Sequence, residues 1–151
     1  MPTVQIVETY PLRATTLFRF FARPANVLAV APPGSGLRLV EGPDSVSPGA
    51  TFTVVVRRWG LSQTIVTEVV EWQANTLVVE EQRRGPFARW RLERRFRAIS
   101  ATESELTESI ECEPPGGLLG LTLTAARIEA ELRTAYEGRR ERVLGLATPT
   151  A

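Results

Sequence analysis

From Gly36 to Ser100 apolar residues return at every second position in one segment after another, and this rhythm commits most of the chain to β-structure. Leu37 to Glu41, Thr51 to Arg58, Leu61 to Trp72, Thr76 to Gln82 and Phe87 to Ile99 each read as a strand. Pro43, Pro48-Gly49, Gly60, Ala74-Asn75 and Gly85-Pro86 separate them at the spacing antiparallel hairpins require. A strand from Thr3 to Tyr10 precedes this block. Another, from about Glu103 to Glu113, follows it and is ended by Pro114-Pro115-Gly116-Gly117.

Two stretches keep a different period. After Pro11, the residues Ala14, Leu17, Phe18 and Phe21 fall on one helical face. Pro24 closes that helix, and Ala25 to Val30 supply one or two further turns before Pro32-Pro33-Gly34. The pair predicts a helix-turn-helix lid between the first two strands. Near the end, Leu121, Ala125, Ile128, Leu132, Tyr136 and Val143 recur at helical steps. They predict one amphipathic helix of about 25 residues, nearly 40 Å at about 1.5 Å per residue and long enough to cross a sheet.

The fold class is therefore α+β: a curved antiparallel sheet of about seven strands around a long C-terminal helix. A sheet that curls around one straight helix cannot touch it everywhere at close-packed density, so an apolar cavity is expected between them. At 151 residues one core is expected, with a single domain over residues 1–145 and a flexible tail over 146–151.

Composition removes several chemistries. The 18 basic and 17 acidic residues leave a formal charge of +1, so no global field favours nucleic acid or an anionic membrane. Every basic residue is arginine. Without histidine or lysine there is no imidazole base, no Schiff-base amine and no histidine metal ligand. Cys112 is alone, which excludes an intrachain disulfide and a multi-cysteine zinc site; in an apolar strand face it reads as a small buried hydrophobe. Gly116, Gly117 and Gly120 lack both the lysine of a phosphate loop and the dinucleotide spacing, so no cofactor is implied. No apolar run approaches the length that spans a bilayer, and a cytoplasmic protein without membrane insertion is expected.

Strand alternation also sorts the candidate site residues. Trp90, Leu92, Arg94, Phe96 and Ala98 share one face of their strand, and Leu106, Glu108, Ile110 and Cys112 share one face of the next. A turn around Ser100 to Thr102 that sets Phe96 opposite Leu106 also sets Arg94 opposite Glu108, giving an inward ion pair. An unpaired buried charge costs several kcal/mol, so the pair either bridges the structure or orients a polar group of an apolar ligand. Gln82 and Glu80 are secondary candidates on a neighbouring strand, with solvent the expected place for Glu80. Trp90 is the candidate cavity wall, and Trp59 and Trp72 read as core or hairpin packing. Arg89, Arg91, Arg95 and Arg97, alternating with Glu93 and close to Glu103, Glu105 and Glu111, predict a charge ladder on a solvated face.

The element order, together with Gln82, Gly85-Pro86-Phe87, Trp90, Phe96, Glu108 and Pro114-Pro115-Gly116, resembles the START-like or SRPBCC superfamily, in particular its bacterial polyketide cyclase/dehydrase-like and lipid-transport-like proteins. The resemblance implies a helix-grip fold that binds a small hydrophobic molecule such as a lipid or polyketide. It implies cavity residues among Trp90, Leu92, Arg94, Phe96, Leu106, Glu108, Ile110, Gln82, Ile128 and Leu132. Relatives often carry polar aromatic residues or histidine between that tryptophan and phenylalanine; this chain has Leu92 and Arg94. Three functions stay open: a ligand carrier, a cyclase or dehydratase using Glu108, Glu80, Tyr10 or Tyr136 with Arg94 polarising a carbonyl, and a protein-interaction module presenting Val27 to Val30.

Overall fold

The computed structural model describes residues 3–58, 61–117 and 124–147. Seven strands form one antiparallel sheet: β1 (Thr3–Tyr10), β2 (Leu37–Glu41), β3 (Thr51–Arg58), β4 (Leu61–Gln73), β5 (Leu77–Arg84), β6 (Arg89–Ala98) and β7 (Ser104–Glu113). Their spatial order is β1-β7-β6-β5-β4-β3-β2, so β1 returns to pair with the last strand and the remainder is a meander. Register shifts between Val66 and Thr67 and between Val69 and Glu71 interrupt the β4–β5 ladder, and such irregularities bend a strand and increase its twist. Asn75, at φ 65°, makes the β4–β5 turn, one of the few side chains that tolerates that conformation.

Among the described residues the helices are α1 (Ala14–Phe21), α2 (Pro24–Ala29), α3 (Ala125–Tyr136) and α4 (Arg139–Ala147). Pro24 begins α2, where its missing N–H is no loss. Thr124 caps α3 by accepting the Arg127 backbone N–H at 3.3 Å.

Two expectations change here. The single long terminal helix is broken in two by Glu137-Gly138. Gly138 has φ 74°, a left-handed conformation that ends a helix and suits glycine best. Nor is the first helix merely a lid: Leu17, Phe18, Phe20 and Phe21 of α1 are all buried. Phe18 packs edge-on against Phe96 at 5.2 Å and against Trp72 at 6.1 Å. Gly120, Leu121 and Trp59 lie outside the described residues, as does the tail beyond Ala147.

The inward face of the sheet carries two apolar clusters. One joins α1 and α4 to Tyr10, Val46, Val69, Val78, Phe96, Leu106 and Val143. The other joins α3 to Val4, Leu92, Ile110, Cys112 and Ile128, with Ile6, Phe87, Trp90, Leu132 and Tyr136 packed against it. The outer face carries the expected arginine ladder, with Arg97 to Glu105 at 3.3 Å, Arg95 to Glu93 at 3.1 Å and Arg91 to Glu81 at 2.9 Å.

Candidate functional site

Between the two clusters a belt of charge crosses the inner face. The β6–β7 register pairs Phe96 with Leu106 and Arg94 with Glu108. Ile6 lies opposite Glu108, and Glu8 and Leu106 are partners on β1 and β7. Because side chains alternate, Glu8, Glu108, Arg94 and Glu80 all point inward from four adjacent strands.

Glu108 is the hub and has no exposed surface. Its Oε1 accepts Arg139 Nη1 at 2.7 Å and Arg94 Nε at 3.3 Å, and its Oε2 accepts the Tyr136 hydroxyl at 2.7 Å. Arg94 Nη1 also donates to Glu80 Oε2 at 2.9 Å. Arg139 Nε and Nη2 donate to Glu8, whose Oε1 takes the Tyr10 hydroxyl at 2.7 Å as well. The Arg139 guanidinium lies 4.1 Å from the Tyr136 ring centroid and 5.3 Å from that of Phe21.

This arrangement fixes protonation. Burial alone would raise the Glu108 pKa, but the guanidiniums of Arg139 and Arg94, with the Tyr136 hydrogen bond, hold it below the usual carboxylate range. Burial, then the Glu108 charge, pushes the Tyr136 phenol well above its ordinary value. Burial, then Glu8, does the same to Tyr10. Cys112 is buried, and burial pushes its thiol up to about 11.

The expected Arg94–Glu108 pair is present, as part of a five-charge cluster. Glu80, expected in solvent, is instead 8% exposed, because Arg94 reaches it across β5 and β6 and supplies the partner a buried carboxylate needs. The other candidate residues divide among three places. Phe96 and Leu106 belong to the α1 cluster, while Trp90, Leu92, Ile110, Ile128 and Leu132 line the underside of α3. Gln82 donates its amide to the Phe87 carbonyl at 2.8 Å, and Gly85 lies so close that an added Cβ would stand 2.4 Å from Gln82 Oε1. The Gln82, Gly85 and Phe87 pattern is thus a packing unit that shapes the β5–β6 loop.

Among the described residues the interior offers a recess of about 50 Å³, lined by Phe21, Pro24, Val27, Leu28, Val46, Phe52 and Glu80. A second, open depression over Ser62, Gln63, Thr64, Arg84 and Gly85 is polar. Neither touches Trp90. The interior is fuller than a bent sheet around a straight helix predicts, because α1 inserts aromatic side chains and the charge belt occupies the middle. The recess residues Phe21, Val46 and Phe52 were missed as site candidates, since they come from a helix, a loop and β3. No group of three or more His, Cys, Asp and Glu among the described residues could hold a metal ion.

No family model matches the sequence, and no curated protein matches it either. Solved structures do match. The chain superposes on the Zhui aromatase/cyclase from Streptomyces sp. R1128 with a TM-score of 0.71 at 16% identity, covering 97% of this chain and 93% of that one. It superposes on the di-domain ARO/CYC BexL from the BE-7585A biosynthetic pathway with a TM-score of 0.71 at 15% identity, over 99% of this chain and 48% of that one. A START superfamily protein from Mycobacterium smegmatis gives a TM-score of 0.60 at 15% identity, over 93% of this chain and 98% of that one. Seven antiparallel strands in this order, closed by helices from the C-terminal segment, give this chain a helix-grip α+β fold, which it shares with these solved structures.

Proposed function

We propose that this chain binds a small, largely hydrophobic molecule between the sheet and the C-terminal helices and performs no chemistry on it. The observation that carries the reading is the way α3 covers its part of the sheet. Of its twelve residues only Ile128 is buried, yet Trp90, Leu92 and Ile110 present a continuous apolar surface beneath it. A drug-sized ligand needs about 300 Å³ or more, so binding requires α3 to lift or the recess under α2 to widen. The similarity in fold to an aromatase/cyclase and to a START superfamily protein supports an interior binding mode.

The groups that could move protons are poorly matched to that task at neutral pH. Glu108 is held as a carboxylate with donors on both oxygens, and the Tyr10 and Tyr136 phenols are displaced upward, away from the range in which acid–base catalysis is efficient. An interaction surface at Val27 to Val30 is also disfavoured, since Val30 is buried and its carbonyl accepts Arg142 Nε at 2.8 Å.

Titration with a neutral apolar dye, read by fluorescence and checked by native mass spectrometry, tests the proposal. Saturable one-to-one binding that is lost in Leu132→Trp, which crowds the space under α3, is the expected result. A folded protein that binds no apolar probe would refute the reading.

A further inference from the structure

We infer that the recess beneath α2 is an anchoring subsite for a small cation, the protonated amine at the end of an otherwise apolar ligand; this rests on the ligand-binding reading above. The recess walls are apolar, from Phe21, Val27, Leu28, Val46 and Phe52, and the one charged group facing them is Glu80. Glu80 is 8% exposed as a residue. Its Oε2 accepts Arg94 Nη1 at 2.9 Å, and among the described residues no donor reaches Oε1. A carboxylate offers about four acceptor positions, so Glu80 keeps acceptor capacity free beside the recess, where its side chain is 11% exposed. Such a group gains strongly from a charged donor.

The charge balance of the belt points the same way. Glu8, Glu80 and Glu108 face two guanidiniums, Arg94 and Arg139, so the described cluster carries one formal negative charge in excess. One bound ammonium closes that balance; a bound carboxylate would worsen it. Neither arginine lines the recess. At about 50 Å³ the space takes a compact headgroup and no ring, leaving the apolar remainder of the ligand against Val27 and Leu28, which are half-buried.

The test compares n-hexylamine, n-hexanol and hexanoate by calorimetric titration at neutral pH, in the parent protein, Glu80→Gln and Val27→Trp. Hexylamine is expected to bind saturably, with hexanol and hexanoate weaker by about tenfold or more, the loss of one charge-assisted hydrogen bond. Glu80→Gln should erase the preference for the amine over the alcohol. Val27→Trp, which fills the recess and leaves every charged side chain of the belt in place, should abolish amine binding while the melting temperature holds. Hexanol binding as tightly as hexylamine, or hexanoate being preferred, would overturn the cationic subsite and leave the apolar-binding reading standing. Failure of hexylamine and the neutral dye alike would overturn both, and amine binding that survives Val27→Trp would place the site elsewhere.

Discussion

Tyr136 and Arg139, three residues apart on opposite sides of the helix break, hydrogen-bond the two oxygens of the same carboxylate, Glu108. In an unbroken helix residues three apart lie on one face but keep one axis direction. The turn at Glu137-Gly138 lets the phenol arrive from the end of α3 and the guanidinium from the start of α4, so the break itself assembles the hub of the belt.

The first expectation concerns that hub. Glu108→Leu leaves Arg94 and Arg139 buried with less than their full set of counter-charges, and should lower the unfolding free energy by about 3–5 kcal/mol. Urea denaturation measures it. A loss below about 1 kcal/mol, the size of an exposed pair, would mean that the belt contributes little to stability.

Gly138→Ala tests the break. The left-handed φ of 74° disfavours a side chain, and an added Cβ would meet only the flexible end of Arg142, at 3.0 Å from Nη1. The cost should therefore be conformational, about 1 kcal/mol, with no change in helix content. A rise in helical circular dichroism with unchanged stability would show that α3 and α4 can run together, and that the Tyr136 and Arg139 contacts do not depend on the turn.

Stability should be flat through neutral pH and fall at both ends. Glu108 has a lowered pKa in the folded state, so its contribution is present above the ordinary value of 4.5 and is lost as pH drops below it. Cys112, Tyr10 and Tyr136 are raised, so their contributions are present below the ordinary values of 9.0 for the thiol and 10.0 for the phenols, and are lost as pH climbs past them. No histidine side chain titrates between these limits. Urea midpoints measured across the pH range check this; a sharp change between about pH 5 and pH 7 would contradict it.

Much of this was legible in the sequence where periodicity decides position. The seven strands, and the opposition of Arg94 to Glu108, follow from alternation and from the hairpin turn at Ser100 to Thr102, while the turn expected at Gly60 lies outside the described residues. The rest depended on contacts between distant residues. Arg139 reaches Glu8 across 131 positions, and nothing local marks either as a partner. Glu80 reads as solvent-exposed because a carboxylate is rarely buried without a partner and nothing local marks one; only the reach of Arg94 makes burial tolerable. The helix break did have a local signal, glycine after Tyr136-Glu137, which the strong apolar periodicity on either side overrode. Gly138 is where that period stops being one helix.

The last expectation follows from how unequally the two terminal helices are held. The α4 helix buries Arg139 and Val143 and is pinned by Arg139 to Glu8 and Glu108, by Arg140 to the Thr9 carbonyl at 2.7 Å and by Arg142 to the Val30 carbonyl. The α3 helix buries Ile128 alone, and its end is tied by the Tyr136 hydroxyl. Regions with few buried contacts open at free energies below that of global unfolding. Backbone amides of α3 should therefore exchange with deuterium well before those of α4. Tyr136→Phe removes one hydrogen bond to a charged acceptor, worth about 1.5–3 kcal/mol, and should speed α3 exchange further while leaving α4 nearly unchanged. The same variant should admit the neutral apolar dye faster, since lifting α3 is the step that uncovers Leu92 and Ile110. Equal exchange in the two helices would show that α3 does not open separately, and entry through it would have to be given up.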